Sequence, residues 1–199
     1  MPNLWKLFKK SPAEPLPGFP AISPNDLRAG DALLFYGGVK LTELFGNRVY
    51  GHPYSPPAFH AALALSSQEF LNVGKFKTIE SIQDEFRSTR RIDVIRYDMA
   101  TFKREILEKN ARKDVDGPKV GQLPTYAFTD YLRFGLKWFK PSKKDFCSEN
   151  VVEHLQAVGC ESSHREPYNT APWHLLEFAL ERMPEVSVRT LWVGPDFKR

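Results

Sequence analysis

The residue best suited to covalent chemistry is Cys147, in the stretch Asp145-Phe146-Cys147-Ser148-Glu149-Asn150. Behind it, Val151, Val152, Leu155 and Val158 recur at helical spacing. That pattern predicts a helix with one apolar stripe beginning near Cys147. Asp145 is placed to cap it and Gly159 to stop it. In the first turn of a helix, unpaired N–H groups and the macrodipole favour negative charge. A thiolate is the nucleophilic form of cysteine, and a helix N-terminus lowers the thiol pKa. A lone cysteine is as a rule a small buried hydrophobe. The nucleophile reading therefore needs a base elsewhere in the chain, and a third polar group to hold that base.

His60 is the best placed of the five histidines, at the start of the apolar run Phe59-His60-Ala61-Ala62-Leu63-Ala64-Leu65. His52 lies in the loop before it, and His164 and His174 have no evident partner. His154 follows Cys147 on the same expected helix by two turns, about 10 Å, too far to serve as its base. Asn72 sits in Glu69-Phe70-Leu71-Asn72-Val73, a run separated from the histidine run by only Ser66-Ser67-Gln68. Such a link predicts an antiparallel hairpin, with His60 and Asn72 on one face. An Asn amide can accept the ring N–H and fix the tautomer. Glu80 competes for that orienting role and ranks second. Glu149, one turn into the helix, reads as a dipole partner rather than a base.

Other chemistries have less support. There is no HExxH, no paired CxxC and no Gly-rich phosphate loop, only the pair Gly37-Gly38. No metal site or cofactor is expected. Lys137, Lys140, Lys143 and Lys144 precede the cysteine, either as a solvated face or as positive potential for an anionic substrate.

Positioning these groups takes a set of short elements. Ala32-Leu33-Leu34-Phe35-Tyr36 reads as a buried strand, ended by Gly37-Gly38. The histidine and asparagine runs follow as strands, then Phe76 to Ile79, then a short helix capped by Ser81 and running through Phe86. Ile92 to Tyr97 alternates as a strand. Ala100 to Ala111 reads as a surface helix with Phe102, Ile106 and Leu107 on one side, and Lys113 to Pro124 as a loop. Thr125 to Phe139 reads as a buried aromatic helix, Pro172 opens another to about Arg182, and Val186 to Val193 closes the chain as a strand. Strands gathered early and helices late argue for an α+β fold.

The chain has 199 residues, enough for one domain with a real core. We divide it into an N-terminal arm and Pro-rich connector over residues 1–25 and a single domain over 26–199. Trp5 and Phe8 give the arm something to pack, and five prolines lie between Ser11 and Pro24. The net charge of +4 is spread without a dense basic stripe, so no nucleic-acid partner is expected. Across a helix the two cysteines, Cys147 and Cys160, would stand about 20 Å apart, beyond disulfide reach. That argues for a reduced, cytoplasmic protein. No apolar run reaches transmembrane length and the first ten residues lack a secretory core.

Taken together, these motifs resemble the circularly permuted NlpC-type branch of the papain-like proteins, especially its YiiX-like group. That group resembles the lecithin:retinol acyltransferase family in motif order: histidine first, polar residue second, cysteine last. Leu27-Arg28-Ala29-Gly30-Asp31-Ala32-Leu33-Leu34-Phe35 is similar to the opening "GD" strand, and residues 59–65 to the histidine strand. Phe70-Leu71-Asn72-Val73-Gly74 falls where the third polar residue lies, Phe146 to Val152 at the nucleophile, and Pro172-Trp173-His174-Leu175 at a late P-x-x-L segment. The resemblance covers roughly residues 27–180, with Asn72 where glutamate or histidine is common and a long loop over 37–57. It implies a permuted papain-like fold, a mainly antiparallel sheet packed against the nucleophile helix. It also implies a Cys147-His60-Asn72 thiol hydrolase: a peptidase or amidase, or else an acyl hydrolase or acyltransferase on lipid-like esters. A non-catalytic binding module with a degenerate site is the third expectation.

Overall fold

The apolar runs between Ala32 and Tyr97 pair into one six-stranded antiparallel sheet, which the last strand of the chain joins. The structure, a computed structural model, describes residues 14–15, 17–37, 54–55, 58–74, 76–86, 89–116 and 146–194. A two-residue parallel ladder joins β1 (Glu14–Pro15) to β3 (Tyr54–Ser55). The main sheet holds β2 (Ala32–Tyr36), β4 (His60–Ala64), β5 (Glu69–Val73), β6 (Lys77–Ser81), β7 (Arg91–Tyr97) and β8 (Val186–Val193). Its order is β6-β5-β4-β2-β7-β8, with every neighbouring pair antiparallel. The helices are α1 (Ile82–Glu85), α2 (Thr101–Asp116), α3 (Cys147–Ala157) and α4 (Pro172–Glu181). This is the α+β architecture the sequence predicts.

Strand alternation sorts the core into two layers. Ala32, Leu34, Ala61, Leu63, Leu71 and Ile95 face Leu107 of α2, Val151, Val152 and Leu155 of α3, and Leu175 and Leu176 of α4. On the other face Leu33, Phe35, Ala62, Ala64, Phe70, Ile92 and Val94 pack with Ile82 and Leu191. Burying one such leucine fully stabilises the fold by about 2 kcal/mol before entropic costs. The helix that carries the cysteine is therefore clamped by its own apolar stripe, as expected.

Polar anchors fix the ends of the sheet. Asp31, fully buried, takes Arg96 Nη2 at 2.6 Å and Nε at 3.0 Å, and accepts the Arg28 N–H at 3.0 Å. Arg104 of α2 adds bonds to the carbonyls of Ala29 (2.6 Å) and Tyr97 (2.9 Å). The chain leaves β2 through Gly37 at φ +92°, where a side-chain Cβ would meet Arg90 Cβ at 2.5 Å. Only glycine satisfies both the left-handed backbone and that close approach. The far half of the Pro-rich connector is pinned along β8: Ile22 N–H bonds to Thr190 O at 3.0 Å and Thr190 N–H to Pro20 O at 2.9 Å. Arg91 grips the same segment, donating to Pro17 O at 2.7 Å and lying over the Phe19 ring.

Some expectations change. The helix expected to end at Ala111 continues to Asp116, so Lys113 to Asp116 belong to it rather than to a loop. Its inward residues are Leu107 and Ala111, while Phe102 and Ile106 are 60% and 47% exposed. The two exposed residues are one turn apart on the solvent side, and docking against α3 selected the other face. Ser81 precedes α1 but makes no side-chain capping bond. The arm around Trp5 and Phe8, His52, the lysines at 137–144, the aromatic helix at 125–139 and Asp145 as a cap all fall outside the described residues.

Candidate active site

α3 opens with Phe146 at the N-cap position in extended conformation and Cys147 as its first residue. Phe146 and Cys147 are both buried. The N-cap side chain is apolar, so the helix start is tied from within: Glu149 Oε2 accepts the Phe146 N–H at 3.3 Å. Glu149 is thus a capping residue with its charge on the favourable end of the dipole. Ser148 donates its hydroxyl to the Thr170 carbonyl, which locks the mouth of α3 to the chain entering α4. At the other end Gly159, at φ +70°, stops the helix as predicted.

His60 is the first residue of β4, opposite Phe35 of β2. It shares parity with Ala62 and Ala64, and its ring packs on Phe35 with centroids 5.4 Å apart. At the strand end the ring meets the mouth of α3, where it hydrogen-bonds the Cys147 sulfur. The hairpin from β4 to β5 has the register Leu63↔Leu71, which puts Asn72 diagonally across from His60 on the same face. Nε2 of His60 and Oδ1 of Asn72 are 2.7 Å apart.

The next hairpin completes the support. β5 and β6 pair Asn72 with Thr78 and Phe70 with Glu80. Asn72 Nδ2 donates to Glu80 Oε1 at 2.9 Å, and Thr78 Oγ1 donates to the same oxygen at 2.6 Å. Glu80 does not replace Asn72 as the orienter; it stands behind it. The sequence signal for Thr78 was the i, i+2 spacing with Glu80 on one strand face, and its link to Asn72 depended on the hairpin register.

Cys147 and His60 come together. Burial pushes the His60 imidazole toward the neutral form, yet the net shift is upward from 6.5. The negative sulfur of Cys147 and its hydrogen bond to the ring raise it, followed by the Asn72 hydrogen bond and the charge of Glu85. A sulfur, an imidazole and an amide oxygen thus form one connected row. A ring whose Nε2 hydrogen goes to Asn72 keeps Nδ1 for exchange with the sulfur. Such a row can hold a thiolate–imidazolium pair, and a thiolate at a helix mouth is a nucleophile for carbonyl carbon.

The other histidines among the described residues have other partners. His154 lies 3.4 Å from Asp114, which also holds Lys77 at 2.7 Å and Asn150 at 3.3 Å. His164 bonds Glu181 at 2.7 Å, and His174 Nδ1 accepts the Ala171 N–H at 2.9 Å at the start of α4. An open depression of about 510 Å³ lies over the Asp114 cluster and is lined by none of Cys147, His60 and Asn72. Neither Cys147 nor Cys160 is in a disulfide, and burial pushes Cys160 up to about 11. Among the described residues no three His, Cys, Asp or Glu side chains gather as metal ligands, and no helix is long and apolar enough to cross a membrane. No protein-family model matches this chain, and no curated protein matches it either.

Proposed function

We propose that the protein is a thiol hydrolase that cleaves an amide bond through Cys147, His60 and Asn72. The observation that carries this reading is the row of sulfur, imidazole and amide at the mouth of α3. In the resting site the Cys147 proton resides on His60 Nδ1. The sulfur attacks the substrate carbonyl, and the S–C bond forms as the oxygen becomes an oxyanion. The backbone N–H of Cys147 supplies one donor to it. Collapse breaks the C–N bond, and His60 passes its proton to the departing amine. A water then gives a proton to His60 and attacks the thioester, and expulsion of the thiolate restores the pair. Asn72 holds the ring in the tautomer this cycle needs.

The test is the reactivity of Cys147 itself. Its alkylation by iodoacetamide against pH should turn well below the ~8.5 of a free thiol. Acylation of Cys147 is then followed with a panel of γ-glutamyl peptides and a panel of acyl esters. Acylation by peptides supports the amidase, and acylation by esters alone turns the reading to an acyl hydrolase with the same thiol. A thiol that titrates as a free one and accepts neither panel leaves a non-catalytic binding module.

A further inference from the structure

We propose that Glu80, with Thr78 behind it, is a positioning residue that sets the tautomer of His60 by fixing which way the Asn72 amide faces. This rests on the thiol-hydrolase reading of the site. An Asn side chain has an oxygen end and a nitrogen end of nearly equal shape. With its oxygen toward His60 it accepts a ring hydrogen; flipped, it presents N–H groups and asks the ring for a lone pair. The second arrangement puts the imidazole hydrogen on Nδ1 in the neutral ring, the atom that must take the Cys147 proton. Nothing in the His60–Asn72 pair alone chooses between the two.

Glu80 makes the choice. A carboxylate only accepts, so the Asn72 NH2 must face it, and the bond is 2.9 Å. The Thr78 hydroxyl donates to the same Oε1 at 2.6 Å and keeps that oxygen aimed at Asn72. The Asn72 oxygen is then left to His60 at 2.7 Å. Donation runs one way, from the ring Nε2–H to Asn72 Oδ1 and from Asn72 Nδ2 to Glu80 Oε1, where the Thr78 hydroxyl also donates. No atom in this chain touches the reacting carbon. Glu80 acts through Asn72, and Asn72 through His60.

The arrangement predicts a swap. In Asn72→Asp two carboxyl groups face each other across the 2.9 Å contact. One must take a proton or both must separate, and His60 loses its fixed partner. In Asn72→Asp/Glu80→Gln the polarity is rebuilt. The carboxylate introduced on β5 accepts from the ring on one side and from the amide introduced on β6 on the other.

The experiment uses the full chain with 15N-labelled histidine. His60 tautomer is read from ring nitrogen shifts, and Cys147 alkylation rate from pH 5 to 9, for wild type, Glu80→Ala, Glu80→Gln, Asn72→Asp and the double variant. Thermal melts confirm that each is folded. Wild type should show the imidazolium at the acid end and, once the ring loses a proton, the Nε2–H form. Glu80→Ala should mix the tautomers and slow alkylation about tenfold near pH 6.5, the loss expected for one charge-assisted hydrogen bond. Glu80→Gln, which still accepts through its amide oxygen, should keep most of the rate. Asn72→Asp should fall below Glu80→Ala, and the double variant should recover. A folded Glu80→Ala with wild-type tautomer and pH profile overturns the proposal, as does a double variant no better than Asn72→Asp. If instead wild-type Cys147 reacts as an ordinary thiol while the tautomer still follows Glu80, the hydrolase reading fails and the positioning role stands.

Discussion

Nε2 of His60 and Oδ1 of Asn72 stand 2.7 Å apart across the β4–β5 hairpin. The contact is diagonal rather than directly cross-strand, since Leu63 pairs with Leu71. A hairpin slipped by one residue would send Asn72 to the helix face of the sheet and leave the ring unheld. The register of one short turn therefore decides whether the imidazole beside Cys147 is held by Asn72.

His60 should titrate differently once the sulfur is gone. Burial pushes the ring down, and the Cys147 charge and hydrogen bond are the first of the effects that reverse this. Replacing Cys147 by serine removes the negative charge, so the His60 pKa should fall, which an NMR titration of the ring will show. The sign for wild type follows. A raised pKa favours the imidazolium in the fold, so its contribution to stability is complete below the unfolded pKa. It is lost as pH rises through the raised folded value. Turnover that needs His60 as an acid should fade on the same alkaline limb. A ring unchanged by the serine substitution would contradict the pairing.

Asn72→Ala should lower kcat more than it raises KM. The side chain holds the base and touches no substrate in the proposed cycle, so about tenfold in kcat with little change in KM is expected. Steady-state kinetics on whichever panel acylates Cys147 will separate the two parameters. A loss confined to KM would place Asn72 in substrate binding instead.

Asp31→Ala should be among the most damaging changes outside the site. It strands Arg96, which loses bonds of 2.6 and 3.0 Å to a fully buried carboxylate. Removing one partner of a buried pair costs about 3 kcal/mol. The urea midpoint should drop with the slope unchanged, and Cys147 should keep its alkylation profile under native conditions.

Asp114→Asn should flatten the acid limb of stability. His154, 3.4 Å away, and then the hydrogen bond and charge of Lys77 hold the Asp114 carboxyl well below the usual carboxylate range. A lowered pKa stabilises above the unfolded value and is lost as pH falls through the folded one. The carboxylate is about a third exposed, at 34%, so screening limits the effect to under about 1 kcal/mol. Thermal melts between pH 2 and 7 should show the gap between variant and wild type narrowing toward the acid end. Melts that stay parallel throughout would show that the Asp114 charge is not the cause.

Much of the scaffold was legible in local pattern. The stripe Val151, Val152, Leu155 announced α3 and put Cys147 at its mouth, and the apolar runs at 32–36, 60–64 and 69–73 announced three strands. These follow from short-range periodicity, because burial on one side of a helix or strand recurs every 3.6 or 2 residues. For α2 the pattern misled: Phe102 and Ile106 are apolar yet exposed, because what packs on a helix is chosen by neighbours far away in sequence. The site shows the same division. The sequence by itself determined which groups were available: a thiol at a helix start, an imidazole at a strand start, and an amide and a carboxylate competing to orient it. Only the tertiary structure decided that the amide and the carboxylate act in series, with Thr78 steadying the last oxygen. The reason is that a strand's sequence specifies its two faces but not its partner residues. Those are set when separate strands settle into register, with Asn72 opposite Thr78.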